Sequence, residues 1–322
     1  MSTDTVGFGV VGARSMVATR AVLPAIDASA STSLVAASSL SGPVPEPWTT
    51  LGVGLYDDVI DHPDVEVVYV PLPNGMHAEW VERALDAGKH VLCEKPITPD
   101  VAGARRLAEH AERAGLLLAE AWMTPFDARW RTAIDLVVAG DLGTPVDIDA
   151  SFTFTIGPEA DDNYRWSADQ GGGALLDVGI YCLGPIVELW GAVPDLVEAT
   201  ALWHTSGVDA RTEATLEWVD GRQARIRCSF VDPEEQRLEI IGDRASLVLD
   251  TDAHTGGTSA DAIVLALGDG TVRRQAVEPT DPYLGMVEAF AAAVRGVAPW
   301  PRPMSSTLEL LTLIERIAQA SR

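Results

Sequence analysis

Residues 65–96 read VEVVYVPLPNGMHAEWVERALDAGKHVLCEKP and contain a complete strand–helix–strand pattern. VEVVYVPLP (65–73) and KHVLCEKP (89–96) are short apolar runs bounded by prolines or glycine, which is typical of buried strands. HAEWVERALDAG (77–88) has apolar residues at helical spacing and ends at Gly88, a common residue after a helix. A strand, a helix and a second strand in this order favour a right-handed crossover between parallel strands. The segment therefore predicts an α/β fold.

The same alternation extends over the first 122 residues. Val6–Val11 is a short apolar strand, Ser15–Asp27 is helix-like, and TSLVAASS (32–39) is a further strand. The prolines of LSGPVPEPWTT (40–50) exclude a regular helix after it. Further along we expect helices over 57–62 and 100–115 and a strand over 116–122. Residues 1–122 are therefore predicted to form a Rossmann domain with a doubly wound parallel sheet.

The pattern changes after Trp122. A helix over 126–140 leads into a strand-rich region that includes PVDIDASFTFTI, LVEATALW, ATLEWVDG, QARIRCSF, RLEIIGDRASLVLD and AIVLALGDGTV. Alternating polarity and turns such as VDGR and GDGT favour antiparallel pairing. A helix after GGGALLD (171–177) interrupts this region, and helices over 283–295 and 305–320 end the sequence. Residues 123–322 are predicted to form an α+β domain built on a mainly antiparallel open sheet.

Charge and hydropathy limit the classes of partner. The formal net charge is −24, with no basic block, which argues against binding nucleic acid or an anionic membrane. No apolar stretch approaches the ~18 residues of a membrane span, and the N-terminus lacks a basic stretch followed by an apolar core. We therefore expect a cytoplasmic protein.

Two residue types are scarce. Cys93, Cys182 and Cys228 show no metal-type spacing, so reduced thiols and no metal site are expected. The chain has 21 arginines but only two lysines, Lys89 and Lys95. Lysine and arginine differ in shape, hydration and pKa mobility, so each lysine calls for an explanation.

A glycine-rich turn follows the first strand. GFGVVGARSMVA (7–18) places Gly7, Gly9 and Gly12 at a predicted strand-to-helix junction. Dinucleotide-binding folds need glycine here for a tight turn and for close approach of the pyrophosphate. Counted from Gly12, Arg14 stands where the second glycine of a strict fingerprint would be. Alone, the pattern is more typical of an ordinary strand–helix turn than of a nucleotide site.

Three further motifs carry candidate functional groups. VPLPNGMH (70–77) and CEKP (93–96) end predicted parallel strands, the edge where open α/β sheets bind ligands. Their residues are alternatively a helix-capping His77 and a surface lysine beside a turn proline. GGGALLDVGIYCLG (171–184) places Asp177 and Tyr181 four residues apart, on one face of a helix. The alternative interpretation is a capping carboxylate and a tyrosine packed in a core.

In this order, the glycine turn, VYVPLPN, H, AGKHVLCEKP, EAWM and GGGALLDVGIY resemble the Gfo/Idh/MocA family of NAD(P)-dependent oxidoreductases. The resemblance covers nearly the whole chain and implies an N-terminal Rossmann domain and a C-terminal open sheet. Many members have histidine where this chain has Tyr181. That difference resembles the branch with glucose–fructose oxidoreductase, dihydrodiol and xylose dehydrogenases and deoxysugar 3-ketoreductases.

The resemblance implies a role for each matching position. Lys95 is implied to be catalytic beside the nicotinamide, with a cis peptide before Pro96, and Asp177 and Tyr181 are implied to face the substrate. Arg165 and Trp166 are candidates for the floor of a sugar pocket, or alternatively a surface arginine and a core tryptophan. The implied NAD or NADP contacts are Gly9, Gly12, Ala13, Arg14, Ser15, Met16, Ser38, Ser39, Pro71, Leu72, Pro73, Asn74, His77, Glu94, Lys95 and Pro96.

The end of the second predicted strand departs from the family pattern. Relatives that use NADP usually carry Ser-Arg there, whereas this chain has Ser38–Ser39. The acidic residue that favours the free 2′-hydroxyl of NAD is missing as well. Arg14 is a candidate contact for the adenosine phosphate, and the choice between NAD and NADP stays open, with only a modest preference expected.

The leading interpretation is an oxidoreductase that acts on a secondary alcohol or ketone of a sugar or cyclic polyol. Tyr181 would exchange the hydroxyl proton, Lys95 would polarise the oxygen, and Asp177 would orient the substrate or the tyrosine. The alternatives are a dinucleotide-binding regulator of the same fold and a nucleotide-sugar ketoreductase. A homodimer or homotetramer, formed through the face of the C-terminal sheet, is also expected.

Overall fold

The computed structural model describes residues 5–157, 163–191, 193–255 and 262–322. The chain divides into two compact units. The first unit runs to Met123 and also includes Asp281–Leu308, and the second comprises Thr124–Thr280 and Glu309–Arg322.

The first unit contains a five-stranded parallel sheet, as the sequence predicts. Its strands are buried apolar runs and lie in the order β2-β1-β3-β4-β5. They are β1 (Val6–Val11), β2 (Thr32–Ser38), β3 (Val67–Val70), β4 (His90–Glu94) and β5 (Leu118–Ala121). From β1 the chain continues to β2 on one side and then returns past β1 to β3 on the other. This reversal creates a topological switch point between β1 and β3, where open α/β sheets bind ligands.

The helices of the first unit follow the predicted spacing, with one difference. They are α1 (Leu23–Ala28), α2 (Tyr56–Ile60), α3 (Asn74–Asp86), α4 (Val101–Ala114) and, from later in the chain, α7 (Pro282–Val294). The predicted helix over 15–27 is π-helical over Ala18–Val22 before α1 begins. The Asp100 side chain caps α4 by accepting from the backbone N–H of Gly103 at 2.7 Å.

The predicted boundary between residues 122 and 123 lies one residue from the division after Met123, but residues 281–308 also belong to the first unit. Phe290 of α7 is fully buried, and its ring lies 6.4 Å from that of Phe8 in β1. Arg295 forms an ion pair with Glu66 at 2.6 Å. These contacts join residues more than two hundred positions apart, which local sequence patterns do not reveal.

The second unit is built on an eight-stranded sheet in the order β13-β12-β11-β10-β6-β9-β8-β7. Within this sheet only β6 and β9 pair in parallel among the described strands, so the mainly antiparallel prediction is confirmed. The strands are β6 (Pro145–Thr155), β7 (Leu196–Trp203), β8 (Asp209–Glu217), β9 (Gln223–Ser229), β10 (Val231–Gly242), β11 (Ala245–Leu249), β12 (Ala262–Leu267) and β13 (Val272–Ala276). The remaining helices are α5 (Ala128–Val138), α6 (Ile180–Trp190) and α8 (Met304–Ala320).

A π-helical turn over Leu175–Gly179 leads into α6 and packs on one face of this sheet. Gly179 permits the close approach, since a Cβ there would lie 2.9 Å from the sulfur of Cys228. The stretch Ala168–Trp190 is long and apolar enough to cross a membrane by length and composition alone. The expectation that no stretch reaches this length is therefore wrong. Of its most apolar window, 67% is buried within the protein, as in a core helix.

Candidate active site

The turn after β1 fits a dinucleotide. Gly12 has φ of +99°, a conformation that side chains disfavour, and a Cβ there would lie 2.7 Å from Cδ2 of Leu72. The backbone N–H groups of Gly12 and Ala13 both donate to the Ser38 carbonyl, at 2.9 and 3.0 Å. The turn is thereby fixed to the end of β2 and lies close to Leu72, which follows β3, at the switch point. The predicted residues 12–16, 71–74 and 94–96 follow β1, β3 and β4, which are neighbours in the sheet.

Two of the predicted cofactor residues, Gly9 and Ser15, have structural roles in the described chain. Gly9 lies inside β1, where a Cβ would come within 2.6 Å of Val59 and 2.9 Å of Val65. It makes room for packing rather than for a ligand, which corrects its assignment. The Ser15 hydroxyl accepts from the N–H of Ala18 at 3.3 Å, as a helix-capping group does. Met16 is 60% exposed beside this cap.

His77 connects two of the loops at this edge of the sheet. Its ring is fully buried, with Nδ1 2.8 Å from the Pro96 carbonyl oxygen and Nε2 2.7 Å from that of Leu72. Burial lowers the pKa of His77, and the two carbonyls oppose that shift. The imidazole therefore holds the VPLPN and EKP loops together. This position corrects the predicted cofactor contact to a positioning role.

Lys95 is half-buried and lies on a turn that buried side chains fix in place. The Lys95–Pro96 peptide is cis, as the resemblance implied. Glu94 accepts from the Tyr69 hydroxyl at 2.7 Å and from the Lys95 backbone N–H at 3.3 Å. Burial raises the pKa of Glu94, while the Lys95 charge and the Tyr69 hydrogen bond counteract it. The lysine backbone is thus fixed by a buried hydrogen-bond network.

A second buried carboxylate supports this turn, and the sequence analysis missed it. Glu120 is 2% exposed, accepts from the backbone N–H of Ile97 at 3.1 Å and pairs with Arg302 at 2.6 Å. Thr307 donates to the same carboxylate at 3.2 Å. The signal was available, because Glu120 is the one charge within the apolar strand LLLAEAW.

In the second unit, Asp177 and Arg165 form an ion pair. The Nε of Arg165 lies 2.6 Å from Oδ2 of Asp177, and the two side chains are only 22% and 6% exposed. Burial opposes the charge on Arg165, yet its pKa is raised, because Asp177 and the nearby Tyr164 and Tyr181 favour the cation. Asp177 therefore orients Arg165, which the sequence analysis did not foresee.

Tyr181, the second residue of α6, stands against an aromatic cluster. Its ring lies 5.7 Å from that of Phe152, and Phe152 stacks on His254 at 5.7 Å. Trp166 is 9% exposed and packs against Phe230 and His204, so the interpretation as a core tryptophan describes it better than the pocket floor. The sequence signal for this cluster was the alternation in SFTFTI (151–156).

His254 gives this cluster a pH dependence. It is buried, and Nε2 lies 3.0 Å from the Ser151 carbonyl oxygen. Burial lowers its pKa from 6.5 to about 4. Between these values the unfolded chain binds a proton that the folded chain does not. The contribution of His254 to the free energy of unfolding is therefore complete above the pKa of His254 in the unfolded chain. It is lost as the pH falls through the pKa of His254 in the folded chain.

We expect acidification from pH 7 to 4.5 to cost the wild type about 2–3 kcal/mol more free energy of unfolding than it costs His254→Gln. Urea unfolding of both proteins at the two pH values measures this difference. His110→Gln, at a partly exposed histidine beside Asp86, is the matched control for replacing a histidine by glutamine. Equal pH dependence in wild type and His254→Gln would contradict the assignment.

The fold and the Lys95 turn define a class, the NAD-binding Rossmann oxidoreductases. Residues 6–121 match the model of the oxidoreductase family with an NAD-binding Rossmann fold, and residues 130–248 match that of the GFO/IDH/MocA C-terminal domain.

Individual relatives agree with these matches. D-xylose 1-dehydrogenase (NADP(+)) 2 of Haloferax volcanii is 35% identical over 292 residues, covering 89% of this chain and 88% of the relative. A dTDP-3,4-didehydro-2,6-dideoxy-alpha-D-glucose 3-reductase of Saccharopolyspora spinosa is 32% identical over 335 residues, covering 98% of both. The crystal structure of a 3-ketoreductase from Actinomadura kijaniata, in complex with NADP and TDP-benzene, superposes with a TM-score of 0.89 at 29% identity. That match covers 99% of this chain and 98% of the ketoreductase.

The chain belongs to the Gfo/Idh/MocA family, as the sequence motifs indicated. It is an NAD(P)-dependent oxidoreductase of that family.

Proposed function

We propose that this enzyme interconverts a secondary alcohol and a ketone on a free sugar or cyclic polyol, or carries out the equivalent oxidation or reduction at a ring carbon of a cyclic sugar. The observation that carries the proposal is Lys95, placed at the end of β4 on a turn fixed by Glu94 and His77. A bound nicotinamide supplies the carbon that accepts or donates hydride. The residues of the chain must then polarise the substrate oxygen and move its proton.

We assign these two tasks to Lys95 and Tyr181. The Lys95 ammonium polarises the substrate oxygen, and Tyr181 takes or gives the hydroxyl proton. A phenol has an ordinary pKa of about 10, so a nearby cation is needed to favour its deprotonated form near neutral pH. Asp177 acts through Arg165, whose remaining N–H groups are suited to donate to substrate hydroxyls.

The charge pairing in the second unit favours a substrate without a diphosphate. A nucleotide sugar requires cations that are free to bind its phosphates. Most described arginines of this unit are already committed to carboxylates. The pairs are Arg129–Asp127, Arg211–Asp232, Arg222–Asp220, Arg225–Asp147, Arg227–Glu235, Arg237–Glu239 and Arg274–Asp250. A free sugar, of the kind named for the Haloferax relative, is therefore favoured over a dTDP-sugar, of the kind named for the Saccharopolyspora relative.

A substrate panel tests this proposal. Free aldoses, cyclic polyols and dTDP-sugars are each offered with NAD and with NADP, and formation of reduced nicotinamide is followed by absorbance. We expect turnover with members of the free-sugar or polyol group. Turnover of dTDP-sugars alone would overturn the substrate class. Cofactor binding without turnover of any substrate would favour the regulatory alternative, which has no need of Lys95 and Tyr181 together.

We propose a homodimer, the simpler of the two expected assemblies, formed by the sheet face opposite α6. This face holds a groove of about 570 Å³ lined mainly by polar and charged side chains, including Glu213, Arg225 and Glu235. Its ionic character predicts an interface that salt weakens. We expect light scattering at micromolar concentration and low salt to give twice the 34.2 kDa chain mass. A stable monomer under those conditions would exclude the dimer.

A further inference from the structure

Arg14 lies beside the end of β2. The turn that carries it is tied to Ser38 by the N–H groups of Gly12 and Ala13, at 2.9 and 3.0 Å. The Arg14 side chain runs along the following loop, where Nη1 donates to the Pro43 carbonyl oxygen at 3.3 Å. This contact uses one of the five N–H groups of the guanidinium. The charged group therefore stands, exposed, over the loop that follows β2.

The same loop presents two serine hydroxyls. Oγ of Ser39 and Oγ of Ser41 are 3.1 Å apart, and Ser39 Oγ accepts from the Ser41 backbone N–H at 3.3 Å. Ser41 is exposed and Ser39 is half-buried. Gly42, the next residue, lies close to Arg14, because a Cβ placed on Gly42 would be 3.5 Å from the Arg14 guanidinium carbon. Two hydroxyl groups and one cation thus share a small surface patch, the Arg14–serine patch.

The charged residues near this patch indicate which chemical group it binds. The chain has no lysine or arginine from residue 21 to residue 82, and the contacts with Pro43 and Gly42 place Arg14 on the loop that follows β2. Glu46 is the single acidic residue between positions 28 and 56. An NAD site needs an acidic group here to accept from the ribose 2′-hydroxyl, and none follows β2 directly. A guanidinium and a neighbouring pair of serine hydroxyls instead match a phosphate.

We propose that the Arg14–serine patch binds the 2′-phosphate of NADP, and that Arg14 sets the preference for NADP over NAD. The inference rests on the proposed dinucleotide-dependent function and replaces the open cofactor choice of the sequence analysis. It also assigns to the glycine turn the cation that relatives usually carry directly after β2.

Calorimetric titration of wild type and Arg14→Ala with NADP and with NAD tests the assignment. We expect Arg14→Ala to weaken NADP binding by about 10- to 100-fold, the range of hydrogen bonds to charged groups. NAD binding changes by less than about threefold, because NAD has no 2′-phosphate. Arg14→Lys retains the charge without the planar fork and gives an intermediate NADP affinity.

Arg20→Ala is the matched control. Arg20 is also exposed and lies six residues further along the chain. Its substitution removes the same charge, so it measures how far the long-range field of this acidic protein alone changes dinucleotide affinity. It should leave the ratio of NADP to NAD affinity unchanged. The fragments 2′,5′-ADP and 5′-AMP provide a readout without the nicotinamide, and the preference for 2′,5′-ADP should disappear in Arg14→Ala.

Two results would overturn the proposal. One is equal weakening of NADP and NAD by Arg14→Ala, and the other is a wild type that binds both dinucleotides alike. In either case dinucleotide binding persists and the proposed function stands. Absence of binding by both dinucleotides would instead contradict the proposed function itself.

Discussion

We expect Lys95→Arg to lower kcat by about two to four orders of magnitude, the range that general acid–base groups contribute. The guanidinium is bulkier than an ammonium and cannot occupy the point that we propose for the Lys95 ammonium beside the nicotinamide. The turn leaves little room to adapt, since Glu94 and His77 fix the backbone on both sides of Lys95. Steady-state kinetics on a substrate from the panel measures the effect. Dinucleotide affinity, measured by calorimetry, should change little.

The chain offers an internal control for this substitution. Lys89, the only other lysine, donates to the backbone carbonyls of His62 and Val65 at 3.1 and 2.8 Å, a role that arginine can also fill. Lys89→Arg should therefore retain wild-type kcat. Full activity of Lys95→Arg would remove Lys95 from the mechanism and support the regulatory alternative.

Tyr181→Phe should lose activity on a similar scale, about two to four orders of magnitude in kcat. The phenyl ring keeps the packing against Phe152, so the fold is preserved and only the proton-transferring hydroxyl is lost. The double variant Lys95→Arg/Tyr181→Phe should be little worse than either single variant, because groups that act as one unit are not additive.

Tyr56→Phe is the control for the loss of a tyrosine hydroxyl, since its ring packs against Trp80 in the first unit and lies outside the proposed machinery. It should leave kcat unchanged. If the losses from Lys95→Arg and Tyr181→Phe multiplied in the double variant, the two residues would act independently and the proposed pairing would fail.

Much of the fold could be predicted from the sequence because its signals are local. The strands around Tyr69 and Cys93 are continuous apolar runs, as strands buried on both faces must be. The alternation in β6 and β9 likewise indicated one covered and one polar sheet face. Gly12 was identified through its place after a strand, and its positive φ gives the physical reason.

The missed features depend on contacts between distant residues. Glu120 pairs with Arg302, which follows it in the sequence by more than 180 residues, so no local motif predicts the pair. His254 lies beside the Ser151 carbonyl, about a hundred residues earlier in the chain. Asp177 pairs with Arg165 because the irregular helical turns between them bring the two side chains together. In each case the residue type was visible, but its partner was fixed by tertiary packing.

The most direct measurement is the transfer of deuterium from substrate to cofactor. Pooled free aldoses and cyclic polyols, deuterated at every carbon, are incubated with the enzyme and NADP, and the dinucleotide is recovered for mass spectrometry and NMR. The account predicts deuterium at C4 of the nicotinamide, with label strongly reduced in Lys95→Arg and in Tyr181→Phe. An unlabelled dinucleotide, in a protein that binds NADP by calorimetry, would contradict it.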